Sequence, residues 1–272
     1  MEKKFYYMLA PIERLTDSSF RTICHGADLT FTEPARIGAL ATNNASAMRR
    51  IKLYDNTPTA IQIIGQQEQS LKKFLALFLP EKNFKGFNLN LGCPAPDVVK
   101  KGLGCALIKR VSKTKRLVNI IKDHGYSASI KMRLGLNKFE KDKKVYLNLI
   151  KNVDADFFIV HARHGKQTYK DKADWKVFHE CVKTGKSIIA NGDINTKEDV
   201  EKLRYCRGVM IGRAATINPL IFAELKGLKA PSLDEIKEEY MRLKKERESS
   251  SKNMLVPGFI DNNKKIKLDS EL

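Results

Sequence analysis

The chain has 272 residues, 42% hydrophobic and 30% charged, with a formal net charge of +19. That length and balance exclude wholesale disorder and a fibrous repeat, and they suit a single α/β barrel. No apolar run approaches the ~20 residues that cross a bilayer. Met1-Glu2-Lys3-Lys4 runs directly into a mixed aromatic segment, without the apolar core of a secretory signal. Five cysteines, none in a CxxC pair, argue against a disulfide framework and a zinc site. The expectation is a soluble cytoplasmic protein with no membrane partner and no metal.

Taken in chain order, short β-branched apolar runs read as strands at residues 5–9, 29–32, 59–64, 86–91, 128–132, 157–160, 187–190 and 208–211. Amphipathic stretches such as 70–79 and 143–153 lie between them. Asp17 and Ser18 mark the first helix start, and Thr196 with Asp199 marks another. Alternating strands and helices imply parallel βαβ units, and eight of them make a (β/α)8 TIM barrel. A doubly wound open sheet would instead place GxGxxG after the first strand, where the chain reads Ala10-Pro11-Ile12-Glu13. The expected division is a barrel over residues 1–225 and a short helical extension with a polar tail over 226–272. In that extension, residues 232–248 read as one charged helix with apolar Leu233, Ile236, Tyr240 and Leu243. A break follows at Ser249, Ser250 and Ser251, and residues 262–272 are expected to fray. The helix packs either on the barrel or on a partner.

The basic surplus suits a polyanion, nucleic acid above all, although a merely solvated basic surface has the same composition. From residue 226 onward eleven basic and nine acidic residues nearly cancel, so the surplus belongs to the preceding residues.

A parallel barrel carries its active face at the carboxyl ends of the strands. Those ends hold Pro11, Gln62, Asn90, Cys93, Lys131, Arg133, His161, Asn191, Gly192, Asp193, Gly212 and Arg213. The loops after strands seven and eight often bind phosphate, and glycines with an arginine there suit an anion. Lys131 either snorkels to solvent or meets an anion in the barrel mouth. His161 is either structural or at the site. Cys93, fixed between Gly92 and Pro94, carries a thiol able to donate a proton or to act as nucleophile. The other four cysteines read as packing residues.

Several stretches acquire meaning together: APIERLTDSSFR (10–21), TEPARIGAL (32–40), QIIG (62–65), NLNLGCPAPDVVKKGLGCAL (88–107), IKMRLG (130–135), HARHGKQTY (161–169), ADW (173–175), IANGDI (189–194) and GVMIGRAATINPLIF (208–222). In this order they resemble the tRNA-dihydrouridine synthase family. Departures are isoleucine at position 12, where the family usually has methionine, and His164-Gly165 in place of the family's Thr-Arg. The extension after residue 222 is also shorter than the helical domain many members carry.

The resemblance implies an FMN-dependent oxidoreductase that reduces the C5=C6 bond of uridines in tRNA, with NADPH (or NADH) as electron source. It assigns Pro11, Ile12, Glu13, Gln62, Lys131, His161, Asn191, Gly192, Asp193, Gly212 and Arg213 to the cofactor. It assigns Asn90 and Arg133 to the uridine, and Cys93 to proton donation. Flipping a base out of tRNA calls for a basic rim. Lys100, Lys101, Lys138, Lys141, Lys143, Lys144, Lys166, Lys170 and Lys172 follow strands on the catalytic side. Two other readings are an FMN barrel acting on a free pyrimidine and a tRNA-binding protein without catalysis.

Overall fold

The computed structural model describes residues 4–54, 57–247 and 254–260. Nine strands form one sheet: β1 (Tyr6–Leu9), β2 (Thr30–Phe31), β3 (Ala35–Arg36), β4 (Thr59–Ile64), β5 (Phe84–Leu91), β6 (Ala128–Met132), β7 (Phe158–His161), β8 (Ile188–Asn191) and β9 (Gly208–Ile211). All pairings are parallel, and β1 and β9 close against each other. The opposite edge of β1 meets the residues before β2 through a Met8–Leu29 bridge and the Leu9 N–H to Leu29 carbonyl bond of 3.0 Å. The result is a closed barrel of eight staves, with helices between successive strands.

The ninth strand is half of the second stave. Thr30 pairs with Thr59 and Ala35 with Ile63, so a step of five residues along one strand matches a step of four along the other. That extra residue is a bulge. It falls at Thr32-Glu33-Pro34, where proline has no N–H for the ladder. The sequence reading had a single strand here and missed Ala35–Arg36.

Side-chain alternation divides the molecule. Met8, Ala10, Leu29, Phe31, Ala60, Ile159, Ile189 and Met210 pack together as one buried cluster. Tyr7, Leu9, Ile61, Ile63, Phe87, Leu89 and Ile130 belong to the larger core shared with the helices. Successive residues of β1 fall into different clusters, as the period of two requires. On β4, β5 and β6 the corresponding positions are polar. Gln62, Asn88 and Ser129 are register partners, and Asn90 and Lys131 are partners two residues nearer the mouth.

The capping signals hold. Asp17 caps the helix Ser18–Ile23 by accepting from the Phe20 N–H, and Thr196 with Asp199 forms a reciprocal capping box. A second box, Ser232 with Glu235, opens the helix Leu233–Glu246. That helix packs on the barrel: Ile236, Tyr240 and Leu243 are buried, whereas Leu233 stays exposed. Lys244 pairs with Asp17 at 2.8 Å, and Arg247 bonds Ser18 and Thr22. The expected amphipathic helix 143–153 is shorter, Val145–Asn152, because Lys144 takes a left-handed conformation. The break expected at residues 249–251 and the tail at 262–272 lie outside the described residues. No helix among the described residues is long and apolar enough to cross a membrane.

Candidate active site

Two cavities open at the carboxyl ends of the strands, on either side of the turn that follows β1. The first is lined by Pro11, Ile12, Lys131, His161, Arg163, Tyr169, Asn191, Gly192, Asp193, Gly212 and Arg213 among others. The second, about 220 Å³, has room for a nucleoside and is lined by Glu13, Pro34, Arg36, Arg50, Ile64, Cys93 and Val98 among others. A larger groove of about 810 Å³ lies on the outer wall against Met48, Phe74 and Leu77, remote from these strand ends, and holds none of the expected residues.

The first cavity is built around charge. Asp193, in a left-handed conformation at φ 54°, bridges two arginines. It accepts from Arg163 at 2.7 and 2.8 Å and from Arg213 at 2.7 Å. Burial pushes its carboxyl up, but the Arg163 bond, the Ala173 N–H and both guanidinium charges outweigh this and hold it below the usual range. Arg163 is fully buried and also bonds the Asp171 carbonyl. Arg213 lies over the Tyr169 ring at 4.1 Å, a cation–π contact that aims it across the cavity. Sequence reasoning assigned no role to Arg163 or Tyr169, though both sit inside the HARHGKQTY stretch.

His161 is held neutral. Burial lowers its pKa well below the ordinary value, and the charges of Arg133, Lys131, Arg163 and Arg213 add to this. Arg163 Nη1 lies 3.1 Å from His161 Nε2. A guanidinium only donates, so Nε2 accepts and the proton sits on Nδ1. Gly192 has φ +117°, and a Cβ there would fall 2.9 Å from the His161 ring and 3.0 Å from Ala173 Cβ. Only glycine lets this backbone pass so close. Asn191 serves the wall, its amide donating to the Met210 carbonyl at 2.8 Å.

Lys131 is half-buried, and its ammonium has no protein partner among the described residues. Burial lowers its pKa to about 8, with Arg133 adding repulsion. A buried cation without a counter-charge is costly unless a ligand supplies one. This is the observation by which the residues fit an anionic cofactor: an unpaired cation, a neutral histidine with a free donor, and an arginine above a glycine-lined floor.

Gln62 and Asn90 occupy a buried ladder. Gln62 donates to Asn88 at 2.7 Å and accepts from Asn90 at 2.8 Å, while Asn88 donates to Ser129 at 2.9 Å. Asn90 Oδ1 then accepts the N–H groups of Gly92 and Cys93, both at 3.0 Å. Asn90 therefore shapes the turn that carries the thiol. Arg133 is likewise engaged, its Nη1 bonding the carbonyls of His164 and Gln167 at 3.0 Å. Glu13 faces the second cavity and pairs with Arg50 at 2.9 Å, on the far side of the turn from Ile12. Burial pushes the Cys93 thiol up, opposed by the Ala95 N–H, so it stays protonated at neutral pH.

The expected rim is thinner than the sequence suggested. Lys138, Lys141 and Lys144 pair with Asp142, Asp174 and Glu180. Lys143 lies over the Phe139 ring. Lys100, Lys101, Lys166, Lys170 and Lys172 are exposed and make no ion pair among the described residues. No group of three His, Cys, Asp or Glu side chains among those residues could hold a metal ion.

The fold resembles a crystal structure of morphinone reductase in complex with tetrahydroNAD, at a TM-score of 0.54 and 8% identity, over 85% of this chain and 90% of that one. A protein of Aquifex aeolicus named a probable tRNA-dihydrouridine synthase is 30% identical over 234 residues, 82% of this chain and 73% of its own. An Arabidopsis thaliana protein named tRNA-dihydrouridine(47) synthase, NAD(P)(+)-like, is 28% identical over 80% of this chain and 33% of its own length. The family model for dihydrouridine synthase matches residues 8–255. The chain belongs to the dihydrouridine synthase family.

Proposed function

We propose that this protein is an FMN-dependent tRNA-dihydrouridine synthase that takes its electrons from NADPH or NADH and works on tRNA in the cytoplasm. The observation that carries this reading is the unpartnered Lys131 ammonium beside Arg213 and Asp193 in one cavity, with the protonated Cys93 thiol in the cavity next to it. Arg213, with the backbone of Gly192 and Gly212, would hold the cofactor phosphate. Lys131 and the His161 Nδ1–H would face its ring. When bound, the flavin supplies a hydride to C6 of the uracil. Lys131 keeps a positive charge where negative charge gathers. The Cys93 thiol holds the proton that C5 requires, and its raised pKa keeps that proton in place until then. Asn90 sets the backbone from which the thiol projects.

Replacing Cys93 with Ala should leave flavin bound and lower tRNA turnover by about 10²–10⁴-fold, the usual weight of a positioned acid. The measurement is dihydrouridine formed in bulk tRNA with NADPH. Unchanged turnover would remove Cys93 from the chemistry. A preparation that stays colourless after reconstitution with FMN would remove the cofactor from the reading.

A further inference from the structure

Cys93 is gripped from behind by a second cysteine. Cys105 is fully buried in the 3₁₀ turn Gly104–Leu107. Its backbone N–H donates to the Cys93 carbonyl at 3.0 Å, and its thiol donates to the Gly92 carbonyl at 3.1 Å. Burial pushes the Cys105 thiol up to about 12, so the S–H remains a donor at any working pH. From the front, Asn90 accepts the N–H groups of the same two residues. Both N–H groups and both carbonyls of Gly92 and Cys93 are therefore bonded.

The approach is close because residue 104 lacks a side chain. A Cβ there would lie 2.2 Å from the Cys93 carbonyl oxygen, and φ is +55°. Gly165, in the loop after β7, closes over the same sulfur: a Cβ at that position would sit 3.3 Å from Cys105 Sγ. An alanine at 105 would keep the backbone bond and lose the one to Gly92. Volume alone does not explain a donor at this spot.

We propose that Cys105 is a positioning residue for Cys93, restraining the Gly92-Cys93-Pro94 turn so that the catalytic thiol meets its substrate carbon. The proposal rests on the reading of Cys93 as proton donor. Its role separates from general stability because only the step that uses tRNA needs Cys93.

The test uses the flavin-loaded protein with Cys105→Ala and Cys105→Ser, and three rates: flavin reduction by NADPH, reoxidation of reduced flavin by tRNA, and alkylation of Cys93 by iodoacetamide. The other four cysteines are buried, so alkylation of the native protein reports Cys93. In Cys105→Ala, reduction by NADPH is expected to stay at the wild-type rate. Reoxidation by tRNA should slow by about tenfold, in keeping with the cost of a small misplacement, and Cys93 should alkylate faster. Serine, which restores a donor to the Gly92 carbonyl, should recover most of both effects. Wild-type alkylation and reoxidation in Cys105→Ala would overturn the proposal, and so would an equal fall in both flavin half-reactions. If Cys93→Ala keeps full turnover, the proton-donor reading fails, while the alkylation rates still decide whether Cys105 restrains the turn.

Discussion

Lys131 shows how one side chain can cost stability and serve chemistry. Its folded pKa of about 8 lies below the ordinary 10.5. The unfolded chain therefore holds more protons between those values, and the penalty of the buried charge is full below pH 8 and fades as pH rises towards 10.5. Lys131→Met should raise the melting temperature of flavin-free protein at pH 7. That gain should shrink to nothing by about pH 10.5, as a set of melting curves across pH would show. The same substitution should weaken flavin binding and slow its reduction. A variant that lost stability at pH 7 would mean that the ammonium has a counter-charge in the folded protein. Asn90 and Gln62 teach a related lesson. The family resemblance assigned them to cofactor and uridine, and most of their hydrogen-bonding capacity is spent on each other, on Asn88 and on the Cys93 turn.

At the scale of elements, the C-terminal segment takes on a purpose that its composition hides. Phe259 is 1% exposed and packs its ring against Phe20 and Tyr240. The Leu255 N–H donates to the Arg14 carbonyl at 2.7 Å, and the Phe259 N–H to the Thr216 carbonyl at 3.2 Å. Arg14 belongs to the turn after β1, and Thr216 to the helix Arg213–Ile217 after β9. The segment thus ties together two walls of the first cavity. Phe259→Ala should cost about 3 kcal/mol, the lower end for emptying a phenyl site, and should weaken FMN binding as the two walls part. Calorimetry and flavin fluorescence would check the two effects. Deleting residues 254–272 should reproduce both. Loss of stability with unchanged flavin affinity would show that the tie does not reach the cavity. The bulge in the second stave has a similar local effect: Glu33, buried at the bulge, accepts the Arg14 N–H and holds the same turn from below.

At the scale of the whole molecule, charge is the feature that a polyanion meets first. Five rim lysines without an ion pair among the described residues give a concrete estimate of phosphate contacts. tRNA affinity should fall steeply with salt, and converting Lys166, Lys170 and Lys172 to Ala should reduce the slope of log affinity against log salt by about 2–3. Filter binding at several salt concentrations measures it. An unchanged slope would place the phosphate contacts elsewhere on the surface.

Strand order and the parallel barrel were legible in the linear chain, whereas Gln62, Asn90 and Arg133, expected at the site, line neither cavity at the strand ends. Strand order and the barrel depend on local periodicity, and motif residues at strand ends fall on one face once the strands are parallel. The Thr196–Asp199 capping box was equally readable, since it needs only residues three apart. What waited for the tertiary structure were choices among partners far apart in the chain. Lys141 and Lys144 looked like free rim charges until Asp174 and Glu180, more than thirty residues on, came beside them. Arg163 gained a role only when Asp193, thirty residues on, reached it. Cys105 resembled any buried cysteine until the fold brought its sulfur beneath Gly92. Hydrogen bonds and ion pairs are short-ranged and directional. Which of many compatible groups they join is therefore decided by three-dimensional proximity and orientation, neither of which sequence spacing records.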